Sequence, residues 1–220
     1  LFDFIAEAVR RGLGIQRTGD SGGDFLFGRG FAPEDATPQG FWQLHNSYIM
    51  AQVASGYVIV DQHAAHERIL YEESMKGQQT AAPQGLLFPV TVELSAEQFA
   101  AYERVADRLA QMGLETHAYS GRTVVVEAVP AGAYLGKDEL RELLFDIEKA
   151  AASDVSVTGE LAKLIACKGA VKAGQRLAQP EMESLINRLF ACREPHFCPH
   201  GRPAIIKITL DDLDRRFGRQ

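Results

Sequence analysis

Long apolar runs are missing from this sequence. No window approaches the roughly 18 consecutive apolar residues that a membrane-spanning helix needs, so a helical membrane protein is excluded. Cysteine is scarce: Cys167, Cys192 and Cys198 are too few, and odd in number, for a disulfide framework. A reducing, cytoplasmic setting is expected, where thiolates are available to a metal. No glycine-rich phosphate loop is present, since GRG at 28–30 is too short, and no internal repeat is evident. The opening LFDFIAEAVRRGLG places its basic pair after the apolar stretch, unlike a secretory signal, and KDEL at 137–140 is internal. What remains is an ordinary globular composition, 46% hydrophobic and 24% charged, which excludes a disordered chain and a coiled-coil rod. A length of 220 residues suits one large domain or two small ones.

Charge is unevenly placed. The net charge is −6, which argues against indiscriminate nucleic-acid binding. Residues 91–160 hold 13 acidic and 6 basic residues, whereas residues 161–220 hold 6 acidic and 11 basic ones. An acidic middle beside a basic final third is compatible with one face meeting a polyanion, and equally with solvated helix faces.

The patterning predicts an α+β chain. Residues 1–14 read as a short amphipathic helix and 17–40 as a linker rich in Gly, Asp and Pro. Strands are expected over 41–53 and 56–61, followed without a breaker by a helix over HAAHERILYEESM. An extended stretch follows QQTAAPQG. A helix opens at the Ser95/Gln98 capping pair and stops at Gly113, and a hairpin turns at Ser120-Gly121. Helices are predicted over 137–153, 159–174 and 180–192. A tight loop EPHFCPHGRP, a strand AIIKITL and a short terminal helix complete the chain.

Three clusters could carry chemistry. In Asp61-Gln62-His63-Ala64-Ala65-His66-Glu67, His63 and Glu67 are four apart and share a helix face, with Asp61 just ahead, while His66 is turned elsewhere. Neither HExxH nor HxxEH occurs, so zinc-protease helices are not matched. In Cys198-Pro199-His200-Gly201-Arg202-Pro203, a thiol and an imidazole two apart sit in a loop stiffened by Pro and Gly, a start towards binding a soft or borderline cation. Arg202 adds a permanent charge suited to a phosphate oxygen. Cys167, in an apolar helix, and Cys192 compete as a further ligand. Gln84-Gly85-Leu86-Leu87-Phe88-Pro89 could lie extended in an apolar groove, although on pattern alone its leucines read as core.

Together these residues resemble the C-terminal domain of endonuclease-type MutL proteins. DQHAAHERILYE at 61–72 is similar to the family pattern DQHA, two residues, Glu, four residues, Glu, the glutamates being Glu67 and Glu72. CPHGRP at 198–203 is similar to the family's metal loop, Phe217 and Arg219 to its FxR ending, and Gln84, Leu86, Leu87 and Pro89 to its clamp peptide QxLLxP. The literal ACR at 191–193 lies only a few residues before CPHGRP, so the upstream cysteine role is carried to Cys167, with Lys168 in the place of the usual arginine.

The resemblance implies a two-subdomain α+β chain. Residues 41–83 and 160–220 would form a mixed α/β dimerisation subdomain with the metal site, and 84–159 an inserted α+β regulatory subdomain. It implies a metal-dependent endonuclease of DNA mismatch repair that nicks one strand of double-stranded DNA. Asp61, His63, Glu67, Cys167, Cys198 and His200 would hold zinc and/or manganese. Asp61, His63, Glu67 and Arg202 would act in catalysis, and Gln62, Glu72 and Lys168 would support them. The implied partners are a second copy in a homodimer, DNA, the DNA polymerase sliding clamp and the mismatch-recognition protein MutS, in the cytoplasm at the nucleoid. ATP would enter only through an N-terminal domain absent from this chain. The other reading left open is a non-catalytic dimerisation and clamp-docking module with a structural zinc.

Overall fold

The structure, a computed structural model, describes residues 40–53, 55–76, 82–153 and 156–219. The helix expected over 1–14 and the linker over 17–40 lie outside the described residues, Gly40 aside. The chain is α+β, with two antiparallel sheets. The four-stranded sheet has the order β1-β2-β3-β7, from Trp42–Leu44, Tyr48–Val53, Gly56–Asp61 and Ile205–Thr209. The three-stranded sheet has the order β4-β6-β5, from Gln84–Glu93, Thr123–Val129 and Glu115–Ser120. Six helices accompany them among the described residues: α1 (Gln62–Lys76), α2 (Ala96–Gln111), α3 (Lys137–Ala151), α4 (Val157–Gly169), α5 (Gln179–Ala191) and α6 (Leu210–Arg216). None is long and apolar enough to cross a membrane.

Two hydrophobic cores divide the molecule. One gathers the three-stranded sheet with α2, α3 and α4 around residues such as Val124, Leu143 and Ile165. The other gathers the four-stranded sheet with α1 and α5 around Ile49, Val60, Ile69 and Ile186. Helix α1 reaches both, sending Ile69 into one core and its neighbour Leu70 into the other. Each such buried side chain contributes roughly 1.5–3 kcal/mol. The boundary expected between 159 and 160 therefore falls inside a helix. Leu161 and Ala162 of α4 belong to the core of residues 92–150, and α4 packs against both α1 and α3.

Local chemistry explains where the elements differ from expectation. The strand foreseen over 41–53 is two strands, because His45 and Asn46 both adopt φ of 49° and turn the chain back, pairing Leu44 with Tyr48. Asn tolerates this left-handed region better than most residues. The capping box of Ser95 and Gln98 forms, as does the 115–129 hairpin, with Gly121 at φ 59°. Gly56, at φ 139°, lies so close to β7 that a Cβ there would strike the Ile208 carbonyl. The helix foreseen to 174 ends at Gly169, with Ala170 in extended conformation as its C-cap.

Candidate metal centre

The site is built where β3 runs into α1 with no intervening loop. Asp61 ends the strand and caps the helix: its Oδ1 accepts the N–H groups of His63 at 2.9 Å and Ala64 at 3.0 Å. Such a cap is worth about 1 kcal/mol. It sets the phase of α1, so that His63 and Glu67 face the same way, with His63 Nε2 3.3 Å from Glu67 Oε1.

Glu67 is the centre of the cluster. It is 1% exposed, and an isolated carboxylate so buried would be costly by several kcal/mol. Three groups relieve that cost. His63 lies at one oxygen. At the other, Arg202 Nη2 donates over 2.9 Å and His200 Nδ1 stands at 3.5 Å. The Cys167 thiol of α4 lies near enough to feel the Glu67 charge. Burial pushes the Glu67 carboxyl up, but the His63 hydrogen bond and charge, with Arg202 and His200, outweigh it and bring the pKa down to about 2. His63 is raised, chiefly by its hydrogen bond to Glu67. Cys167 is raised by burial and then by the charge of Glu67.

The CPHGRP loop is a closed turn. Cys198 N–H donates to the Arg202 carbonyl at 2.9 Å and Gly201 N–H to the Cys198 carbonyl at 2.9 Å, with Gly201 at φ 80°. Asp61 N–H donates to the Ala204 carbonyl, tying the loop to the end of β3. Arg68 Nε donates to the Phe197 carbonyl at 2.6 Å, tying it to α1. Glu67, Cys198 and His200 each then offer a ligand atom within 4.8 Å of the others. Cys198 and then Glu67 raise the Arg202 guanidinium above its ordinary value.

Several expected site residues stand elsewhere. Asp61 is not in the tight Glu67–Cys198–His200 set, and its Oδ1 serves as the helix cap. Gln62 is wholly buried away from the cluster. Its amide donates to the carbonyls of Asn46 and Lys172 and accepts from Gln43, stapling the β1–β2 turn to the loop after α4. Lys168 turns to α3, binding Glu142 at 2.8 Å and Asp146 at 3.2 Å. Glu72 accepts the N–H groups of Arg193 at 2.8 Å and Glu194 at 3.1 Å, and stands 3.8 Å from Arg68. It holds the approach to the CPHGRP loop and stands apart from the cluster. Cys192 points to the Arg188 carbonyl, and burial pushes its thiol up to about 12.

The Gln84–Pro89 segment starts the edge strand β4. Its pairing with β6 slips between Gly85 and Val90, where Pro89 has no N–H to offer. Leu87 and Phe88 are 88% and 79% exposed and only Leu86 packs on the core, contrary to the core reading of both leucines. At the other end, Phe217 is exposed, with the Arg219 guanidinium 5.7 Å from its ring.

Sequence reasoning missed the role of Val171. Its N–H donates to His66 Nδ1 at 3.0 Å, and its carbonyl accepts from His63 Nδ1 at 2.9 Å. In a continued α4 that N–H would bond the Cys167 carbonyl, so its capture by His66 ends the helix early. His66 is buried, and burial, then the charges of Arg188 and His63, lower its pKa to about 3. The only signal was a second histidine three residues after the first.

A buried carboxylate ringed by imidazole, thiol and guanidinium groups, on an α+β frame with an exposed edge peptide, defines a domain equipped with a candidate metal centre. Comparison with known proteins gives its kinship. The family described as MutL C terminal dimerisation domain matches residues 41–177. The DNA mismatch repair protein MutL of Chlorobium chlorochromatii (strain CaD3) is 42% identical over 184 residues, covering 81% of this chain and 29% of that protein. MutL of Chlorobaculum tepidum is 42% identical over 183 residues, with the same coverage of 81% and 29%. MutL of Chlorobium luteolum is 40% identical over 197 residues, covering 87% and 31%. The chain belongs to the MutL C-terminal dimerisation domain family. It spans under a third of the length of the curated relatives it matches.

Proposed function

We propose that this chain is the dimerising, metal-dependent endonuclease domain of a DNA mismatch repair protein, nicking one strand of duplex DNA. The observation that carries this is the convergence of Glu67, Cys198 and His200, whose ligand atoms lie within 4.8 Å of one another, with His63 on the same carboxylate and Cys167 near enough to feel its charge. The donor set fits a divalent ion. Carboxylate and imidazole suit manganese or zinc, and the buried thiol favours zinc. The residues that would hold it are Glu67, Cys198, His200, His63 and Cys167, with Asp61 at the margin. A bound divalent ion supplies Lewis acidity towards a phosphate oxygen and lowers the pKa of bound water. Arg202, whose side chain is 59% exposed, is placed to meet an incoming phosphate.

Dimerisation is assigned to the outer face of the four-stranded sheet. The strand register sets Trp42, Met50, Ile59 and Ile206 side by side in one row across all four strands. Trp42 and Ile206 are 62% and 50% exposed, a patch that a second copy would cover. The exposed Leu87 and Phe88 suit docking to the sliding clamp, which would raise the local concentration of a net-acidic domain on DNA. MutS would be a partner of the repair protein as a whole, and ATP would bind outside this domain.

Nicking of supercoiled plasmid with manganese, with and without the clamp, tests the reading. The parent should nick, and His200→Ala and Asp61→Asn should not. A second reading, a structural zinc in a non-catalytic docking module, draws on the buried Cys198 thiol. It requires that the parent never nick, even with clamp, and that removing zinc unfold the domain or dissociate the dimer.

A further inference from the structure

We propose that His66 is a positioning residue. By capturing the Val171 N–H it turns the Val171 carbonyl onto His63 and fixes which nitrogen of that imidazole is left for a cation. The family pattern that the sequence matches leaves this position open, and His66 touches none of Glu67, Cys198 or His200 through any hydrogen bond seen here.

The proton positions follow from the partners. A backbone N–H can only donate, so His66 Nδ1, 3.0 Å from the Val171 nitrogen, presents a lone pair. A carbonyl can only accept, so His63 Nδ1, 2.9 Å from the Val171 oxygen, carries a hydrogen. The remaining nitrogen of His63, Nε2, lies 3.3 Å from Glu67 Oε1, which also can only accept, so the imidazolium donates to both. In the neutral ring the shorter 2.9 Å bond to Val171 keeps the hydrogen on Nδ1, and the longer contact yields Nε2 to a cation. A carbonyl fixing the tautomer of a ligating histidine is a recurrent device of metal sites. Here the carbonyl is itself held. The last helical bond of α4 runs from Ala170 N–H to the Ala166 carbonyl, and the next N–H leaves the helix for His66. Without an acceptor at 66, that N–H is free to continue the helix to Cys167, and the Val171 carbonyl would swing along the α4 axis, away from His63. His66 is 3% exposed and set edge-on to Tyr134, with ring centroids 5.8 Å apart at 76°, so its own orientation is locked.

The choice of Nε2 as the ligand atom rests on the metal-site reading above, but the tautomer is read in metal-free protein. Long-range ¹⁵N spectra of the histidines, taken where His63 is neutral, should show His63 protonated at Nδ1 alone. His66→Asn keeps an acceptor at the Nδ1 position and should preserve this state. His66→Leu, similar in bulk but without an acceptor, should give mixed tautomers. Zinc affinity, from competition with a chromophoric chelator, should fall about 10- to 100-fold in His66→Leu. In His66→Asn it should stay within about threefold, although both variants lose the ring packing on Tyr134. A single Nδ1-protonated tautomer in His66→Leu, or its loss in both variants alike, overturns the proposal. So does an Nε2-protonated His63 in the parent, which needs no variant to fold. A parent that shows the expected tautomers and does not bind zinc would sustain the clasp and sink the metal reading alone.

Discussion

Arg202 donates to the same oxygen of Glu67 that His200 approaches: Nη2 lies 2.9 Å from Oε2, and His200 Nδ1 3.5 Å from it. The guanidinium thus stands as counter-ion to a buried carboxylate, and a cation binding at Oε2 must compete with it. Arg202→Gln should therefore bind zinc more tightly, by about tenfold if one charge-assisted hydrogen bond is removed from the competition. The same variant should nick DNA more slowly at saturating manganese, having lost its phosphate contact. Chelator competition measures the first effect, and unchanged or weaker zinc binding would refute the competition.

Glu72 predicts a stability effect. Glu72→Ala would leave the N–H groups of Arg193 and Glu194 without their acceptor and Arg68 without its nearest carboxylate on α1. We expect a loss of about 2–3 kcal/mol in urea unfolding, with Glu72→Gln costing less because its amide oxygen still accepts. The metal loop should loosen with it, since Arg68 also holds the Phe197 carbonyl. A Glu72→Ala protein as stable as the parent would contradict this.

The edge peptide separates binding from folding. Gln84 and Leu87 are exposed, so the double alanine variant should unfold within about 0.5 kcal/mol of the parent. Its clamp response should be lost. Leu86→Ala should cost more, because Leu86 packs on the core of residues 92–166. Surface plasmon resonance against the clamp, beside thermal melts, checks both halves, and an unaltered clamp response would remove this segment from the docking site.

The sheet face makes a prediction about assembly. Ile206→Asp places a charge at the β7 end of the row that runs from Trp42 through Met50 and Ile59. Sedimentation should then show a monomer with an unchanged circular dichroism spectrum. A persisting dimer would move the interface elsewhere.

Cys192 supplies a pH test. With its thiol near 12, the thiolate fraction at pH 8 is about 10⁻⁴, and alkylation should rise about tenfold per pH unit to roughly pH 11. An unperturbed cysteine levels off about three units earlier. Mass spectrometry of peptides after iodoacetamide treatment at pH 8 should find Cys192 unmodified in folded protein and modified after urea. Rapid labelling in the folded state would show that its burial among Arg188 and Glu72 is overstated.

Much of the frame was legible because its signals are local. The 3.6-residue period put His63 and Glu67 on one face, Ser95 and Gln98 announced a capping box, and Ser120-Gly121 announced a hairpin. Other features were hidden because their causes lie far away in sequence. Lys168 was read towards the site, yet its ammonium follows the acidic side of α3, 26 residues earlier at Glu142. Gln62 was read as support for the centre, yet its amide finds carbonyls 16 and 110 residues away. The leucines of 84–89 read as core because hydrophobicity is the stronger prior. An edge position and a proline without an N–H let Leu87 turn outward instead.

The sequence by itself determined the α+β class, most of the elements and the two short segments from which the donors come. Helical periodicity and Pro/Gly-stiffened turns act over a few residues and leave their mark in the order of amino acids. Only the tertiary structure decided that Glu67 is the buried hub, that Asp61 caps a helix, and that Val171 ends α4 between two histidines. Those outcomes depend on which polar groups lose water together when the cores close. A buried carboxylate or backbone N–H must find whatever partner the packing brings within reach, and that partner stands 105 residues away for Val171 and 135 for Glu67.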